Sequence, residues 1–338
     1  MDAAMDSRIS FVTVIEAGAI ELKAVRLAES LRTWGGSFSK APFVFVRPRR
    51  GPGLSRSTLR RMHELGVTYV QTNASHQYEW YDFLNKPIAI RIAAEKIRTP
   101  YLCWLDDDVL VLDEPTRLVP EADEDFLACP ADLNMGSTGP GHRFEPYWDT
   151  FCNSIGISLN DLGVIRVHRE NVLARTYFNS GVMVFRLSSE GINAYVQTTI
   201  AALNARIRSS TEGIYMHEQM SVGIAAIKCG LNIGSLPVTY NFSSIELFDP
   251  LNHSAADSMI LFHYHDAFFP ERFDQLCAAF FAHRPDRLQY VQSLGMINMS
   301  SLSSLGRLQS RFFRAIRRRK QKKYMATCRV IDTAGANS

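Results

Sequence analysis

The stretch YLCWLDDDVLVL, residues 101–112, places three consecutive aspartates between two apolar runs. The first run, Tyr101–Leu105, predicts a buried strand that delivers the aspartates at its carboxyl end. Carboxylates this close together repel one another, and an apolar environment makes their charges expensive to keep. The sequence therefore predicts a group that offsets this cost, with a divalent cation as the first candidate. The alternative is a solvated acidic turn after a core strand.

Around this strand, short apolar runs alternate with helical patterns. APFVFVRP and VTYVQT have the composition of strands, whereas AIELKAVRLAESLRTWGG, SRSTLRRMHELG and LNKPIAIRIAAEKIRTP have the spacing of helices. This alternation predicts an α/β fold with a largely parallel sheet covered by helices on both faces. In such sheets, ligands bind in the crevice at the carboxyl ends of the strands, where the aspartates are expected.

Composition narrows the class of protein. The chain has 338 residues, 46% hydrophobic and 21% charged, as in an ordinary globular protein with a large core. No apolar run reaches about 18 residues, so no segment is expected to span a membrane. The six cysteines are scattered without a CxxC pair, which is typical of reduced side chains rather than of disulfides or a zinc site. The N-terminal stretch has no basic region, so no secretory signal is expected and the predicted location is cytoplasmic.

A further candidate ligand is His263, which follows the late apolar run in MILFHYHD. A histidine at a strand end is most often a structural hydrogen-bonding group, but beside aspartates at another strand end it becomes a candidate third metal ligand. Because side chains alternate along an extended chain, we expect Asp106 and Asp108 to face the same way and Asp107 to face away. By the same alternation, His265 is a weaker rival of His263. Oxygen ligands of this kind suit Mg²⁺ or Mn²⁺.

The strand YFNSGVMVFR carries Asn179, Ser180 and Gly181 within an otherwise apolar run. One interpretation is a bulge at which glycine relieves crowding. The other is that amide and hydroxyl groups face a hydroxyl-rich ligand. The segment Asn134–Trp148, rich in glycine and proline, is predicted to be a loop that closes over the site.

Two helices carry charged and amide side chains near these strands. Glu218 and Gln219 begin the helix HEQMSVGIAA, where they either face a ligand or only cap the helix and complement its dipole. Lys86 and Arg91 lie on the helix just before the aspartates. Either of these two could meet phosphate or sugar, or be solvated.

Taken together, these blocks resemble the retaining nucleotide-sugar transferases of glycosyltransferase family 8, which have a GT-A fold. YLCWLDDDVLVL resembles the Leu-Asp-x-Asp motif of that family, and YFNSGVMVFR resembles its Phe-Asn-x-Gly strand. The third block, HEQ followed by LPVTYNF, resembles its Asp-Gln and Leu-Pro-x-x-x-Asn motifs, and the fourth, LFHYHD, resembles its metal-binding histidine block. The four blocks occur in the family's order, over roughly residues 80–272.

The resemblance implies a transferase that moves a hexose from a nucleotide sugar, with UDP as the favoured nucleotide, to an acceptor hydroxyl with retention of anomeric configuration. It implies that Asp106, Asp108 and His263 bind Mn²⁺ or Mg²⁺ against the diphosphate. Asn179, Glu218 and Gln219 are the implied catalytic residues, with Gln219 near the anomeric carbon. The predicted donor-binding residues are Lys86, Arg91, Asp107, Ser180, Arg272 and Glu16.

Several positions depart from the pattern of the family. The acid before Gln219 is Glu218 instead of aspartate, and Phe269 stands where the family has a late lysine, so that Arg272 is the candidate replacement. The first strand ends in TVIEAG, with Glu16 and without the usual Thr-x-Asp-Asp-x-Tyr. The base-stacking tyrosine is therefore absent, and the chain resembles a divergent member.

The C-terminal segment has a different character from the rest. Residues 307–323 hold nine lysines and arginines and no acid, so residues 307–338 carry +9 against a net charge of +3 for the chain, which leaves −6 on residues 1–306. Residues 1–300 are predicted to be the transferase domain and residues 301–338 a linker, at Ser300–Ser304, with a basic amphipathic tail. The predicted partner of the tail is an anionic membrane surface carrying a lipid-linked saccharide acceptor. A solvated tail or a nucleic-acid arm is the alternative, and the acidic body disfavours nucleic acid.

Other functions fit the aspartates less well. An aspartyl-nucleophile phosphatase also has an Asp-x-Asp after a strand, but usually on its first strand and with Thr or Val where this chain has Leu110. A nucleotidyltransferase would open with a glycine-rich pyrophosphate loop, which the sequence lacks. A non-catalytic nucleotide- or sugar-binding protein of GT-A type remains the alternative from a different class.

Overall fold

The computed structural model describes residues 8–72, 77–249, 253–297 and 304–335. In chain order, the helices and strands are β1 (Ile9–Val14), α1 (Ala19–Trp34), β2 (Phe43–Arg47), α2 (Arg56–Glu64), β3 (Val67–Gln71), α3 (Asn85–Ala94), β4 (Tyr101–Leu105), β5 (Val109–Val111), β6 (Phe126–Pro130), α4 (Glu145–Ser154), β7 (Val164–Arg166), β8 (Leu173–Arg175), β9 (Phe178–Arg186), α5 (Gly191–Asn204), β10 (Ile207–Ser209), α6 (His217–Lys228), β11 (Ile233–Ser235), β12 (Phe242–Ser243), α7 (Ser244–Leu247), β13 (Leu261–His263), α8 (Phe273–His283), α9 (Pro285–Leu294), α10 (Ser304–Met325) and β14 (Arg329–Ile331).

Seven strands form one mixed sheet in the order β11-β6-β9-β4-β1-β2-β3. Strand β9 runs antiparallel to both of its neighbours, β4 and β6, whereas the other neighbouring pairs are parallel. The predicted α/β class with a mostly parallel sheet is confirmed, and the arrangement is the one expected for a GT-A fold.

Helices cover both faces of this sheet because the strands are apolar on both faces. In β4, Cys103 and its alternate neighbours pack with α1 and α2 in one core. Trp104 and Leu102 point to the opposite face and pack with α3, α5 and α6 in a second core. A strand buried on both faces has a continuous apolar sequence, as YLCWL does. The two cores hold the carboxyl end of β4, and thus the aspartates, at a defined position.

Part of the segment predicted to be a loop over the site packs into the core. Met135, Tyr147 and Trp148 are almost completely buried in a core cluster with residues of α5 and α6, and Trp148 lies on helix α4. The indole Nε1 of Trp148 donates to the carbonyl oxygen of Met135 at 2.7 Å. Residues 134–144 form the predicted irregular segment, and Asn134 lines the cavity described below, whereas residues 145–148 belong to α4. Closure of this segment over the site stays a prediction.

The C-terminal segment is a 22-residue helix, α10, followed by β14, which pairs in parallel with β10. The ring of Tyr324 packs 4.7 Å from that of Trp80, and its hydroxyl donates to the carbonyl oxygen of Leu203 at 2.6 Å. Lys320 forms an ion pair with Glu79 at 2.6 Å. The predicted basic helix is present, but the end of the chain is packed on the body. The division at residue 300 stays a prediction.

Two further points concern the predicted linker and the question of membrane-spanning helices. Residues 300–303 of the predicted linker lie outside the described residues. Within the part of the chain that the structure describes, no helix combines the length and apolar character needed to cross a bilayer.

We expect Tyr324→Ala to lower the free energy of unfolding by about 3–5 kcal/mol, because it empties a buried aromatic position. Tyr324→Phe should cost only about 1 kcal/mol, the value of one hydrogen bond. Urea denaturation measures both. The control is Phe312→Ala, since Phe312 is 61% exposed on the same helix. Equal stability of the wild type and Tyr324→Ala would contradict the packing of this segment on the body.

Candidate functional site

The three aspartates form a tight turn between β4 and β5. The backbone N–H of Val109 donates to the carbonyl oxygen of Asp106 at 3.1 Å and closes the turn. We predicted that Asp106 and Asp108 face the same way because side chains alternate along an extended strand. That reason was wrong, because these residues form a turn and are not extended. Both carboxylates nevertheless approach one imidazole: His263 Nε2 lies 3.0 Å from Asp108 Oδ1 and 3.9 Å from Asp106 Oδ2.

The pairing of β5 with β13 brings His263 to this turn. The two strands are antiparallel, with His263 opposite Val109, in a small sheet of order β12-β13-β5. His263 therefore meets the aspartates from a second sheet and not from a neighbouring strand of the main sheet. Its Nδ1 lies 3.0 Å from Asn241 Oδ1, which fixes the plane of the ring.

Gly181 makes room for this histidine. A Cβ atom at this position would lie 2.7 Å from both Cε1 and Nδ1 of His263. The pairing of β9 with β6 also shifts register here, from Ala128 opposite Met183 to Cys129 opposite Asn179. The interpretation of this stretch as a bulge is confirmed, and its glycine also admits the ring of His263. That Asn179 and Ser180 face a hydroxyl-rich ligand stays a prediction.

Cations from separate elements surround the aspartates. Lys23 Nζ of α1 lies 3.3 Å from Asp108 Oδ2, and Lys86 Nζ of α3 lies 3.0 Å from Asp106 Oδ1. Burial opposes ionisation of Asp108, yet the imidazole of His263 and the ammonium of Lys23 lower the pKa of Asp108 below its usual value. Burial likewise opposes the charged form of His263, but Asp108 raises its pKa above the ordinary value. Asp108 and His263 thus each favour the charged form of the other.

A second carboxyl lies behind Lys86. Glu218 is 2% exposed, and its Oε2 lies 3.7 Å from Lys86 Nζ and 3.2 Å from Ser180 Oγ. Its other oxygen accepts a hydrogen bond from the hydroxyl of Tyr195. Burial raises the pKa of Glu218 to about 7, with Lys86 opposing this effect. Glu218 is thus placed to hold Lys86 against Asp106.

The carboxyl group of Asp107 is only partly compensated, because Lys23 favours its charged form while burial and Asp108 oppose it. Its Oδ2 is shielded from solvent and has no hydrogen-bond partner among the described residues. Burial, with the neighbouring charge of Asp108, raises the pKa of Asp107 to about 7. A buried carboxylate oxygen without a donor is costly, so this group adds to the demand for a cation or another donor at the turn.

A cavity of about 680 Å³ opens beside the turn. The predicted site residues that line it are Glu16, Lys86, Asp106, Asp107, Asp108, Asn179, Ser180, Glu218, Gln219, His263 and His265. Arg91 is exposed on α3 and does not line the cavity, and Arg272 is 45% exposed beside Asp266, 3.6 Å away. The structure therefore brings together most of the predicted set and places Lys86, not Arg91, at the aspartates.

The amide side chains in the cavity are held by hydrogen bonds. Gln219 Nε2 donates to the hydroxyl of Tyr177 at 2.6 Å, which leaves its carbonyl oxygen for a ligand. Asn179 Oδ1 accepts from the backbone N–H of Gly181 at 2.8 Å. Ser180 is 3% exposed, and its Oγ lies 2.8 Å from Lys86 Nζ. Ser180 thus contributes more to the position of Lys86 than to the open cavity.

At the end of β1, Glu16 is fixed by a buried arginine. Arg49 Nη2 donates to Glu16 Oε2 at 2.9 Å and Asn85 Nδ2 donates to Glu16 Oε1 at 3.2 Å, while Arg49 also pairs with Asp82. Arg49, Asp82 and Asn85 line the cavity with Glu16. This polar set lies where the sequence lacks the stacking tyrosine of the resembling family.

Sequence reasoning missed Lys23, Arg49 and Asn241. Lys23 and Arg49 carry no local signal, because a lysine on an amphipathic helix and an arginine after a strand are ordinary. Asn241 lies in LPVTYNF, one of the blocks that carry the resemblance, so its role next to His263 could have been found.

The residues at the turn fit a divalent cation. One ligand atom each from Asp108, His263 and His265 lies within 4.8 Å of the others, and these three are the group of this kind found among the described residues. Asp106 lies beside the group. Burial and the neighbouring His263 lower the pKa of His265 to about 3, so its imidazole is neutral and able to coordinate metal.

Gly181→Ala should lower the free energy of unfolding by about 1–3 kcal/mol, because its Cβ overlaps the ring of His263. In a His263→Ala background the same change should cost much less, and a double-mutant cycle in urea measures this difference. The control is Gly53→Ala, since nothing lies within 4 Å of a Cβ at Gly53. An unchanged cost without the His263 ring would show that the overlap is not what Gly181 avoids.

Solved structures show a distant likeness. The apo structure of the bifunctional glycosyltransferase WbbM is 13% identical, covers 87% of this chain with 53% of its own length, and has a TM-score of 0.48. The galactosyltransferase LgtC in complex with donor and acceptor sugar analogues is 14% identical, with 89% and 99% covered and a TM-score of 0.47. GlyE of Streptococcus pneumoniae is 13% identical, with 88% and 66% covered and a TM-score of 0.48. The chain thus spans about half the length of WbbM and two thirds of GlyE.

Sequence comparison assigns the family directly. No curated protein matches the chain. The model of the Rhodobacterales glycosyltransferase domain matches residues 11–230, which is more than half of the chain and includes the aspartate turn, β9 and the start of α6. The predicted resemblance to glycosyltransferases is confirmed by this match. The chain belongs to the Rhodobacterales glycosyltransferase domain family.

Proposed function

We propose that this glycosyltransferase uses Mn²⁺ or Mg²⁺ to transfer a hexose from a UDP-sugar to an acceptor hydroxyl with retention of configuration. The observation that carries the proposal is the group of Asp108, His263 and His265 on the wall of the large cavity, next to Lys86 and Gln219. The four sequence blocks in the order of family 8 support the choice of donor and the retention.

Asp106, Asp108 and His263 are the proposed metal ligands, and His265 is a fourth candidate because it belongs to the same compact group. A bound divalent cation would stabilise the negative charge that develops on a departing diphosphate. Imidazole nitrogen is a better ligand for Mn²⁺ than for Mg²⁺, which prefers oxygen and water, so the histidines favour Mn²⁺.

Lys86 is the proposed basic donor-binding residue. It lies in the cavity wall, whereas Arg91 is exposed outside it. Its ammonium already touches Asp106, Ser180 and Glu218, so it is preorganised rather than recruited by the ligand. Fixed positive charge near a leaving diphosphate stabilises the transition state without reorganisation. Asp107, Ser180 and Glu16 are proposed to complete the donor site, and Arg272 could reach it only by a change of conformation.

The carboxyl group of Glu218, next to Gln219 in the chain, is a poor candidate for a covalent nucleophile. Glu218 is buried, hydrogen-bonded to Tyr195 and Ser180, and close to Lys86. The neighbouring Gln219 is an amide and is a poor nucleophile. Retaining hydrolases use two carboxyls about 5–5.5 Å apart, which act as acid and nucleophile. We therefore propose attack by the acceptor from the side of the leaving group, whose diphosphate takes the proton, with Gln219 and Asn179 orienting the donor sugar.

We expect UDP to bind much more tightly with Mn²⁺ than without it, as measured by isothermal titration, and expect slow hydrolysis of a UDP-hexose in a panel of nucleotide sugars. Asp108→Asn and His263→Ala should each abolish the effect of Mn²⁺ on UDP affinity and lower the hydrolysis rate at least 100-fold. The matched control is Asp274→Asn, an exposed carboxylate outside the cavity.

Three outcomes would contradict parts of this proposal. Equal affinity for UDP with and without Mn²⁺ would refute the proposed metal dependence. Tight UDP binding with no turnover of any nucleotide sugar would favour the non-catalytic binding protein. A β-linked product from an α-linked donor would refute retention.

We further propose that α10 lies on an anionic membrane surface, where a lipid-linked saccharide would be the acceptor. Leu305, Leu308 and Phe312 are between 61% and 65% exposed, and Ile316 is 37% exposed. These four positions lie on one side of a helix, between arginines and lysines. A basic amphipathic helix with an uncovered apolar stripe is suited to the membrane interface, and each basic side chain near an anionic leaflet adds about 1 kcal/mol.

Leu308→Glu combined with Phe312→Glu should abolish binding to phosphatidylserine-containing vesicles in a sedimentation assay, because it places two charges in the apolar stripe. Donor hydrolysis should be unchanged, since neither side chain lines the cavity. Val164→Glu, at an apolar position that is 62% exposed outside α10, is the control. Wild-type binding should fall as salt rises. Equal binding of the wild type to neutral and anionic vesicles would refute the proposed attraction between the basic side chains of α10 and anionic lipids.

A further inference from the structure

We propose that Arg317, Lys320 and Tyr324 of α10 are positioning residues that hold one wall of the cavity in place. This wall, here called the helix-side wall, consists of four polar residues that line the cavity and are joined to one another by hydrogen bonds and ion pairs: Glu16, Arg49, Asp82 and Asn85. The expected effect on donor binding rests on the proposed function, because it takes the cavity to be the site of the nucleotide sugar.

Helix α10 contacts the body of the protein with one side. Arg317, Lys320 and Tyr324 are spaced by three and four residues, so they lie on the same side of the helix. The ring of Tyr324 packs against Trp80, and Lys320 forms its ion pair with the preceding residue, Glu79. The exposed apolar stripe of α10 lies about 100° away around the helix axis. The contact with the body therefore leaves the stripe uncovered and concerns a separate face.

A continuous series of contacts leads from this face of α10 to the helix-side wall. The ammonium group of Lys320 lies 2.6 Å from the carboxylate of Glu79. The carbonyl oxygen of Glu79 accepts a hydrogen bond from Arg49 Nη1 at 3.3 Å. The same guanidinium group pairs with Glu16 and Asp82. A shift of α10 away from Glu79 would therefore remove a support of Arg49, and with it of the two carboxylates in the wall.

Arg317 adds a charge to the same group of residues. Its side chain is half-buried on α10. Burial and the charge of Arg49 lower the pKa of the Arg317 guanidinium, whereas the carboxylates of Glu16 and Asp82 oppose this decrease. Two guanidinium groups thus face two carboxylates, and Arg317 offsets the negative charge that Arg49 alone would leave.

The helix-side wall needs this support because much of it lies outside the regular elements. Glu16 and Arg49 follow the ends of β1 and β2, and Asp82 lies in the short 3-10 turn Asp82–Leu84. Segments of this kind open locally at a lower free energy than core strands and helices do. Packing of Tyr324 against Trp80, two residues before Asp82, ties the turn to a long helix. The C-terminal helix is thereby made part of the frame of the cavity.

The test uses charge reversal at the ion pair in the full-length chain. Lys320→Glu should accelerate amide hydrogen exchange in residues 78–85, measured by mass spectrometry, and should weaken UDP binding in the presence of Mn²⁺ about 3-fold or more, because it places like charges together. Adding Glu79→Lys should restore both values, since the pair is re-formed with its charges exchanged. Lys322→Glu is the matched control, because it makes the same change at an exposed position of the same helix.

A second variant tests the other charged contact. Arg317→Gln should also weaken UDP binding and accelerate exchange in residues 78–85, and Arg318→Gln, at the exposed neighbouring position, should do neither. The affinity for Mn²⁺ alone should be unchanged in Arg317→Gln, because the proposed metal ligands lie outside the helix-side wall. General destabilisation would weaken both kinds of binding, and urea denaturation measures it directly.

Equal exchange in Lys320→Glu and Lys322→Glu would overturn the inference, and so would a charge swap that restores neither value. Faster exchange with unchanged UDP affinity would refute the effect of α10 on the ligand. Absence of UDP binding by the wild type would refute the proposed function instead. Hydrogen exchange in residues 78–85 needs no ligand, so it would then decide by itself whether α10 holds the wall.

Discussion

The repulsion among the carboxylates of Asp106, Asp107 and Asp108 is the constraint on which the site depends. It is balanced by groups that come from three separate elements: the ammonium groups of Lys23 from α1 and Lys86 from α3, and the imidazole of His263 from β13. Each of these elements is held by its own packing against the sheet or by strand pairing. The charge balance therefore links the main sheet, its helices and the small second sheet at one point.

Holding Lys86 and His263 in place beside the aspartates costs free energy, and neighbouring residues offset this cost. Lys86 is almost completely buried, which is unfavourable for an ammonium group, and it is satisfied by Asp106, Ser180 and Glu218. Gly181 is needed because the ring of His263 occupies the space of its absent side chain.

Much of this arrangement could be predicted from local patterns. The apolar run YLCWL, the alternation of strands with helices and the basic helix near the C-terminus all reappear in the structure. The patterns failed where local residues serve distant packing. The glycines and prolines of 134–148 predicted a loop, and residues 134–144 are irregular, but the composition did not show that the aromatic side chains of this segment fill a core. The tail looked detached because of its charge, but Tyr324 packs against Trp80 and Leu203.

The sequence by itself determined which chemical groups are present and on which kinds of element they lie, because strand and helix patterns depend on neighbours a few residues away. It identified Asp106, Asp108, His263, Lys86, Asn179 and Gln219 as candidates. Only the tertiary structure decided that His263 faces Asp108 through the antiparallel pairing of β5 with β13, and that Lys86 rather than Arg91 reaches Asp106. Only it showed the contribution of Lys23. These are contacts between residues far apart in the chain, and register and burial, which no local pattern encodes, determine them.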